Sequence, residues 1–196
     1  MKVLQQTVKK TKNIWRLLTT LLLCAALQST RTAAALSQTK PRHLSANDQA
    51  FLEDLERRAF RYFQEQSDPQ TGLVLDRART DGAIHEETHR NTASIAATGF
   101  GLTAWCIAAE RGWVSQSVAR QRVRNTLTFF AESAHHEQGW FWHWMNWRTG
   151  DRVWRSEISS IDTALLLGGI LTARQYFHRD PEIVRRATQI YERVDF

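Results

Sequence analysis

Residues 92–111, TASIAATGFGLTAWCIAAER, are apolar on nearly every side of a helical wheel. Ile95, Ala96, Ala97, Phe100, Leu102, Ala104, Trp105, Ile107, Ala108 and Ala109 leave no polar stripe wide enough to face water. A helix of that kind is enclosed by other elements rather than laid on a surface. It starts from Thr92 or Ser94 as cap and stops at Gly112, so the fold must surround it with neighbours. Gly99 and Gly101 weaken the helix locally and mark close approach of another element. They are no dinucleotide loop, because no strand precedes them and a third glycine is missing.

The neighbours are helical too. A first helix begins at Ser45 or Asn47, with Asp48 in its first turn, and brings Phe51, Leu55, Ala59, Tyr62 and Phe63 to one face. Glu53, Arg57, Arg61 and Gln64 face away, and Asp68-Pro69 with Gly72 ends it. Leu73–Leu75 is a brief extended segment leading to Asp76-Arg77, and Asp81-Gly82 is a turn. A helix capped by Ser115 or Ser117 carries Val118, Val123, Leu127 and Phe130 inward, with Arg120, Arg122 and Arg124 outside. Another, capped by Ser159 or Ser160, runs to about Phe177 and is again apolar all round. Asp180-Pro181 opens a fifth, with Ile183, Val184, Ala187, Ile190 and Tyr191. Between the third and fourth helices, Trp140, Trp142 and Trp144 alternate with Phe141 and His143 as in a strand, and Thr149-Gly150-Asp151 suits a hairpin turn. Five helices and one short hairpin predict an all-α domain. Two helices apolar all round need more partners than five helices supply. The expectation is the front part of a larger helical domain, whose uncovered flanks favour self-association.

Charge excludes one class of partner. The chain has 196 residues and a formal net charge of +6, from 26 Lys and Arg against 20 Asp and Glu. Lys2, Lys9, Lys10, Lys12, Arg16 and Arg31 all precede residue 36, where no acid occurs. Taking those six from the 26 leaves 20 bases against 20 acids in residues 36–196. That neutral balance argues against nucleic acid as a partner. Residues 1–35 instead have the parts of an export signal: a basic start ending near Arg16, an apolar core at Leu17–Leu27, and small residues Ala33–Ala35 for cleavage. The core is shorter than the about 20 apolar residues a membrane span needs, so contact with the membrane is expected only in transit. Leu23 directly before Cys24 is too bulky for a lipoprotein site. Residues 36–46, polar and containing Pro41, read as a linker, and 47–196 as the domain. With the signal removed only Cys106 remains, so no internal disulfide forms and the cysteine is read as a small buried side chain. The expected location is periplasmic or secreted.

His85-Glu86-Glu87-Thr88-His89 matches the H-E-x-x-H pattern of zinc peptidases. That pattern needs a helix to put both histidines on one face, and here it lies between a turn and the Thr92 cap, so it reads as a chance match in a polar loop. His135-His136 reads as a solvated loop. Neither a metal nor any other cofactor is expected. Chemistry is expected further on. Trp140, Trp142, Trp144, Trp147 and Trp154 fall within fifteen positions. A short hairpin cannot bury five indoles, so some are expected to line a groove where flat rings stack on sugar faces. Glu157 and Asp162 follow, the first in a loop and the second inside a helix. Asp162 also fits plain helix capping. Cleaving a bond between sugars takes one carboxyl that donates a proton to the leaving oxygen and a second group that activates water or attacks. Burial beside Trp154 would raise the pKa of Glu157 in the direction a donor needs.

Four ordered blocks carry a resemblance: FLEDLERRAFRYFQEQSDPQTGLVLDRA (51–78), TASIAATGFGLTAWCIAAERGW (92–113), TGDRVWRSEISSIDTALLLGGILTARQYF (149–177) and YERVDF (191–196). They are similar to the glucoamylase-like domain family, which resembles the endo-β-1,2-glucanases of glycoside hydrolase family 144 and a related domain of cyclic β-1,2-glucan synthases. The resemblance implies a partial (α/α)6 toroid, with this chain supplying about the first five of twelve helices. It implies a glycoside hydrolase-type domain acting on a β-glucan, with a polysaccharide or oligosaccharide as partner. The alternative is a carbohydrate-binding or inactive fragment. The resemblance places Trp154–Asp162 at the cleft, with Glu157 the first choice for an acid role and Asp162 the second. Asp76 and Arg77 match the family's DR pair, in substrate contact or loop bracing.

Overall fold

The computed structural model describes residues 44–196, so the expected signal (1–35) and most of the linker lie outside the described residues. Contacts divide the chain into a short unit ending at Gln49 and a body, Ala50–Phe196, to which the packing below refers. The described residues carry five α-helices: α1 (Ala46–Glu65), α2 (Ile95–Glu110), α3 (Gln116–Thr128), α4 (Ser160–Tyr176) and α5 (Pro181–Glu192). Five short strands accompany them: β1 (Val74–Leu75), β2 (Thr92–Ser94), β3 (His136–Glu137), β4 (Trp140–Phe141) and β5 (Trp144–Asn146).

Each helix starts where a side chain can take its free N–H groups. Ser45 accepts from the Asp48 N–H at 3.1 Å, Ser94 from Ala97 at 3.3 Å, and Ser115 from Val118 at 3.3 Å. Asp180, itself buried, accepts from Glu182 and Ile183 and is gripped by Arg124 at 2.7 Å, which ties α5 to α3. α2 and α4 pack most closely of all the elements. Their axes come together at glycine: a Cβ on Gly169 would stand 2.0 Å from the Gly99 carbonyl oxygen. Around this crossing lie Ile95, Leu102, Leu127, Phe130, Leu166, Ile170, Ile183 and Ile190, all essentially without exposure.

α1 departs from the predicted face. Phe51 and Leu55, expected inward, are 65% and 52% exposed, and Phe60 is the helix's buried residue. Phe60 meets Trp105 edge-on at 5.1 Å. Glu53, expected to face away, accepts from the Trp113 indole at 2.7 Å, and Arg111 reaches Glu53 and Glu56. Polar bonds and the contacts of Phe60 with Trp105 and Trp113 thus set the rotation of α1, not its apolar stripe. Val118 on α3 is likewise exposed rather than inward. After Thr128 the chain adds a π-helical turn, Phe129–Ser133, closed by the Ala134 N–H on the Phe129 carbonyl at 2.8 Å.

The predicted hairpin is present in part, with antiparallel bridges from Met145 to Arg152 and from Trp142 to Ile158, and the strands add pairings it did not include. β5 does turn at Thr149–Asp151, with the Asn146 N–H on the Asp151 carbonyl at 2.7 Å, but its ladder partner is β2. β1, β2 and β5 make an antiparallel sheet in that order, Ala93 opposite Met145, while β3 and β4 pair separately. The domain is therefore five helices with two small sheets. Within the aromatic run the inward positions go to Phe141 and Met145, fully buried, and the tryptophans are left at the margin. Cys106 is buried, and burial pushes its thiol up to about 12. Among the described residues no helix is long and apolar enough to cross a membrane.

Candidate active site

The loop before α4 folds back along residues 141–145. Glu157 accepts the His143 backbone N–H at 3.1 Å, Phe141 accepts that of Ser159 at 3.0 Å, and Trp144 that of Val153 at 3.2 Å. Trp154 and Arg155 adopt left-handed backbone angles, φ +53° and +56°. For residues with a Cβ each such angle costs about 1 kcal/mol or more. This kink turns the Trp154 indole outward, 48% exposed, with its ring 6.0 Å from Trp144.

His143 joins the two candidate acids. Its ring stacks on Trp144 at 3.8 Å with 20° between planes. Nδ1 stands 2.8 Å from Glu157 Oε1, and Nε2 stands 3.7 Å from Asp162 Oδ1. The other oxygen of Asp162 takes the Ser159 hydroxyl, while the Asp162 N–H donates to Ser159 Oγ at 3.2 Å, so Ser159 caps α4 and Asp162 holds the cap in place. The Glu157 side chain is 65% exposed and that of Asp162 14%. The Glu157 carboxyl is held below the usual carboxylate range by its own backbone N–H first and the His143 ring second. The upward shift expected from burial beside Trp154 is not found, because Trp154 points away and Glu157 stands in water.

Of the remaining expected residues, some reach this cluster and others do not. Trp154 packs edge-on to His89 at 4.9 Å, which extends the aromatic row into the 77–90 loop. A cavity of about 280 Å³ there is lined by Arg77, Arg79, His85, His89 and Arg90 among others. Arg77 is ion-paired with Asp76 at 2.5 Å, and the Asp76 N–H donates to the Thr92 carbonyl at 2.9 Å, so the pair braces the loop while Arg77 alone of the two faces the cavity. Trp142 is turned to a separate stack, on His135 at 4.4 Å with Arg152 over its face at 5.5 Å. His135 is thus part of an aromatic stack rather than a free loop residue. Trp140 serves the chain end: its indole donates to the Asp195 carbonyl at 3.0 Å and meets Phe196 edge-on. His85 and His89 sit 6.3 Å apart in a turn-rich loop with no helix beneath them. Among the described residues no group of three His, Cys, Asp or Glu is placed to hold a metal ion.

His143 is the residue that reading the sequence passed over. It stood as a spacer between two tryptophans, and its partners lie far along the chain, Glu157 being 14 residues away.

No known family profile matches the chain. Over 153 residues it is 28% identical to the exo-β-1,2-glucooligosaccharide sophorohydrolase (non-reducing end) of Parabacteroides distasonis, covering 76% of this chain and 20% of that protein. Its fold matches the endo-β-1,2-glucanase of Chitinophaga pinensis, solved with sophorotriose and glucose, at a TM-score of 0.66 and 26% identity, over 77% of this chain and 36% of that one. A solved Bacteroides caccae protein with the provisional designation glucoamylase matches at a TM-score of 0.65 and 26% identity, over 74% of this chain and 36% of that one. The chain therefore spans about a fifth of the curated relative and about a third of the solved ones. The resemblance carried by the four sequence blocks holds in three dimensions: the chain shares sequence and fold with part of the glucoamylase-like proteins, the family 144 endo-β-1,2-glucanases among them.

Proposed function

We propose that the chain is a glycoside hydrolase-type domain acting on a β-1,2-linked glucan, and that its five helices are part of an (α/α)6 toroid. The observation that carries this reading is the cluster of Trp144, Trp154, His143, Glu157 and Asp162: one carboxylate hydrogen-bonded to an imidazole and a second 3.7 Å from its other nitrogen, beside two partly exposed indoles. Indole faces stack on pyranose rings, and the carboxylates supply the groups that hydrolysis between sugars requires. The activities of the relatives, a sophorohydrolase and an endo-β-1,2-glucanase, support the linkage. Glu157, ionised and exposed, suits the carboxylate that orients or activates water. Asp162, less exposed, is the second carboxyl. The basic and apolar leader in residues 1–35 supports export to the periplasm or medium, with the domain in 47–196.

The test is release of reducing sugar from linear β-1,2-glucan by the protein, compared with Glu157→Gln and Asp162→Asn. Removing an acid or base group is expected to lower the rate by about 100-fold or more. Unchanged turnover in both variants would reject the assignment. A second reading, sugar binding without cleavage, is favoured by the exposure of Glu157 and the downward direction of its pKa. It predicts quenching of tryptophan fluorescence by the glucan with no product formed.

A further inference from the structure

The tautomer that a neutral His143 ring adopts follows from its partners. Glu157, held ionised, only accepts hydrogen bonds, so the proton of a neutral His143 ring must sit on Nδ1 to make the 2.8 Å contact. Nε2 then carries a lone pair, and 3.7 Å from it stands Asp162 Oδ1, the one oxygen of that carboxylate not taken by Ser159. Two acceptors facing each other at that separation repel unless a donor stands between them. The side chains are 24% and 14% exposed, so a ligand edge reaches them while bulk water is largely excluded. The face of Trp144 is covered by the His143 ring, and next to it the Trp154 indole, 48% exposed, offers a flat face to a pyranose ring.

We infer that His143 Nε2 and Asp162 Oδ1 form a two-acceptor seat for the vicinal hydroxyls of a sugar ring, with His143 locked in its Nδ1–H form by Glu157. This rests on the β-1,2-glucan reading and deepens it. A glucose unit linked through its 2-position keeps the adjacent 3- and 4-hydroxyls free, one to donate to each acceptor. His143 is a positioning residue for Glu157 and a binding residue for substrate at once.

Imidazole nitrogen shifts of uniformly ¹⁵N-labelled protein test it, recorded at about pH 8, where an ordinary histidine is neutral. The expected result is a neutral Nδ1–H tautomer at His143 that is lost in Glu157→Gln, and an Nε2 resonance that moves on adding sophorose. His143→Asn keeps a donor at the Nδ1 position and lacks Nε2. It is expected to weaken sophorose binding about fivefold, the worth of roughly one hydrogen bond, with its circular dichroism spectrum unchanged. A His143 found as the Nε2–H tautomer or as imidazolium at that pH overturns the inference whatever the sugar does. Sophorose that binds without moving Nε2, or binds His143→Asn equally well, overturns it and leaves the β-1,2-glucan reading standing. Folded protein that binds no sophorose at all overturns both.

Discussion

The Tyr62 hydroxyl donates to the Leu75 carbonyl at 2.5 Å, which pins the end of α1 to β1. Burial first, and the Asp76 carboxylate second, push its phenol from 10.0 up to about 12, with Arg77 working the other way. The folded value lies above the unfolded one, so the stabilisation is complete below about pH 10 and is lost as pH rises towards about 12. Tyr62→Phe should therefore be less stable than the parent near neutrality by about 1 kcal/mol. That gap should close between about pH 10 and 12, and a gap constant across the window in denaturant melts would contradict the assignment. In the difference absorbance of phenolate, Tyr62 should ionise late in the alkaline range and the variant should lack that step. Legibility at this scale depends on distance along the chain. The pairing of Asp162 with the capping Ser159 could be read from their spacing, because both partners sit in one helical turn. The link of Glu157 through His143 to Asp162 could not be read, because it depends on the loop 147–158 folding back along β5. The His143 contact that helps lower the Glu157 pKa is a tertiary property for the same reason.

The crossing of α2 and α4 has no room for a side chain at two of its glycines. A Cβ on Gly99 would lie 2.4 Å from the Leu165 carbonyl oxygen, and one on Gly169 2.0 Å from that of Gly99. Both obstacles are backbone, so neither can swing away. Gly168, next along α4, meets nothing within 4 Å. Gly169→Ala is expected to cost about 1–3 kcal/mol through forced separation of the helices. Gly168→Ala is expected to stabilise by up to about 1 kcal/mol, the difference in helix propensity. Thermal melts of the two variants should therefore move in opposite directions, and a shared direction would mean that the helices do not meet at this point. The same crossing shows why helices were legible and strands were not. The all-apolar runs of α2 and α4, and the caps at Ser94, Ser115, Ser159 and Asp180, are local signals that tertiary packing only confirms. β2 is three residues long and hidden as the lead-in to a helix, so its pairing with β5 left no period to detect. The π-turn at Phe129–Ser133 is a single inserted residue in a helical pattern and is equally silent.

For the molecule as a whole, the neutral balance of residues 36–196 and its exposed apolar side chains act together. Ile161 and Leu165 are four residues apart on α4 and therefore lie on one face. Phe100 of α2 directly follows Gly99, whose backbone meets that of Leu165. Ile161, Leu165 and Phe100 are 71%, 41% and 55% exposed. Such an edge on a body whose bases and acids nearly cancel has a driving force to associate and little electrostatic repulsion to oppose it. The protein is expected to self-associate, its apparent mass in sedimentation equilibrium rising with concentration. Phe100→Lys combined with Leu165→Lys should return it towards the monomer, since each change adds a charge where apolar contact is lost. Asp162 is one residue from Ile161, so the double variant must also be checked for sophorose binding. Binding retained in the monomer would show that the apolar edge and the sugar-facing cluster are separate surfaces. Binding lost together with association would mean that the edge forms part of the sugar-binding wall. A parent protein that stays monomeric at every concentration would remove the support for association. It would equally weaken the argument that α2 and α4, apolar all round, require more neighbours than the described helices supply.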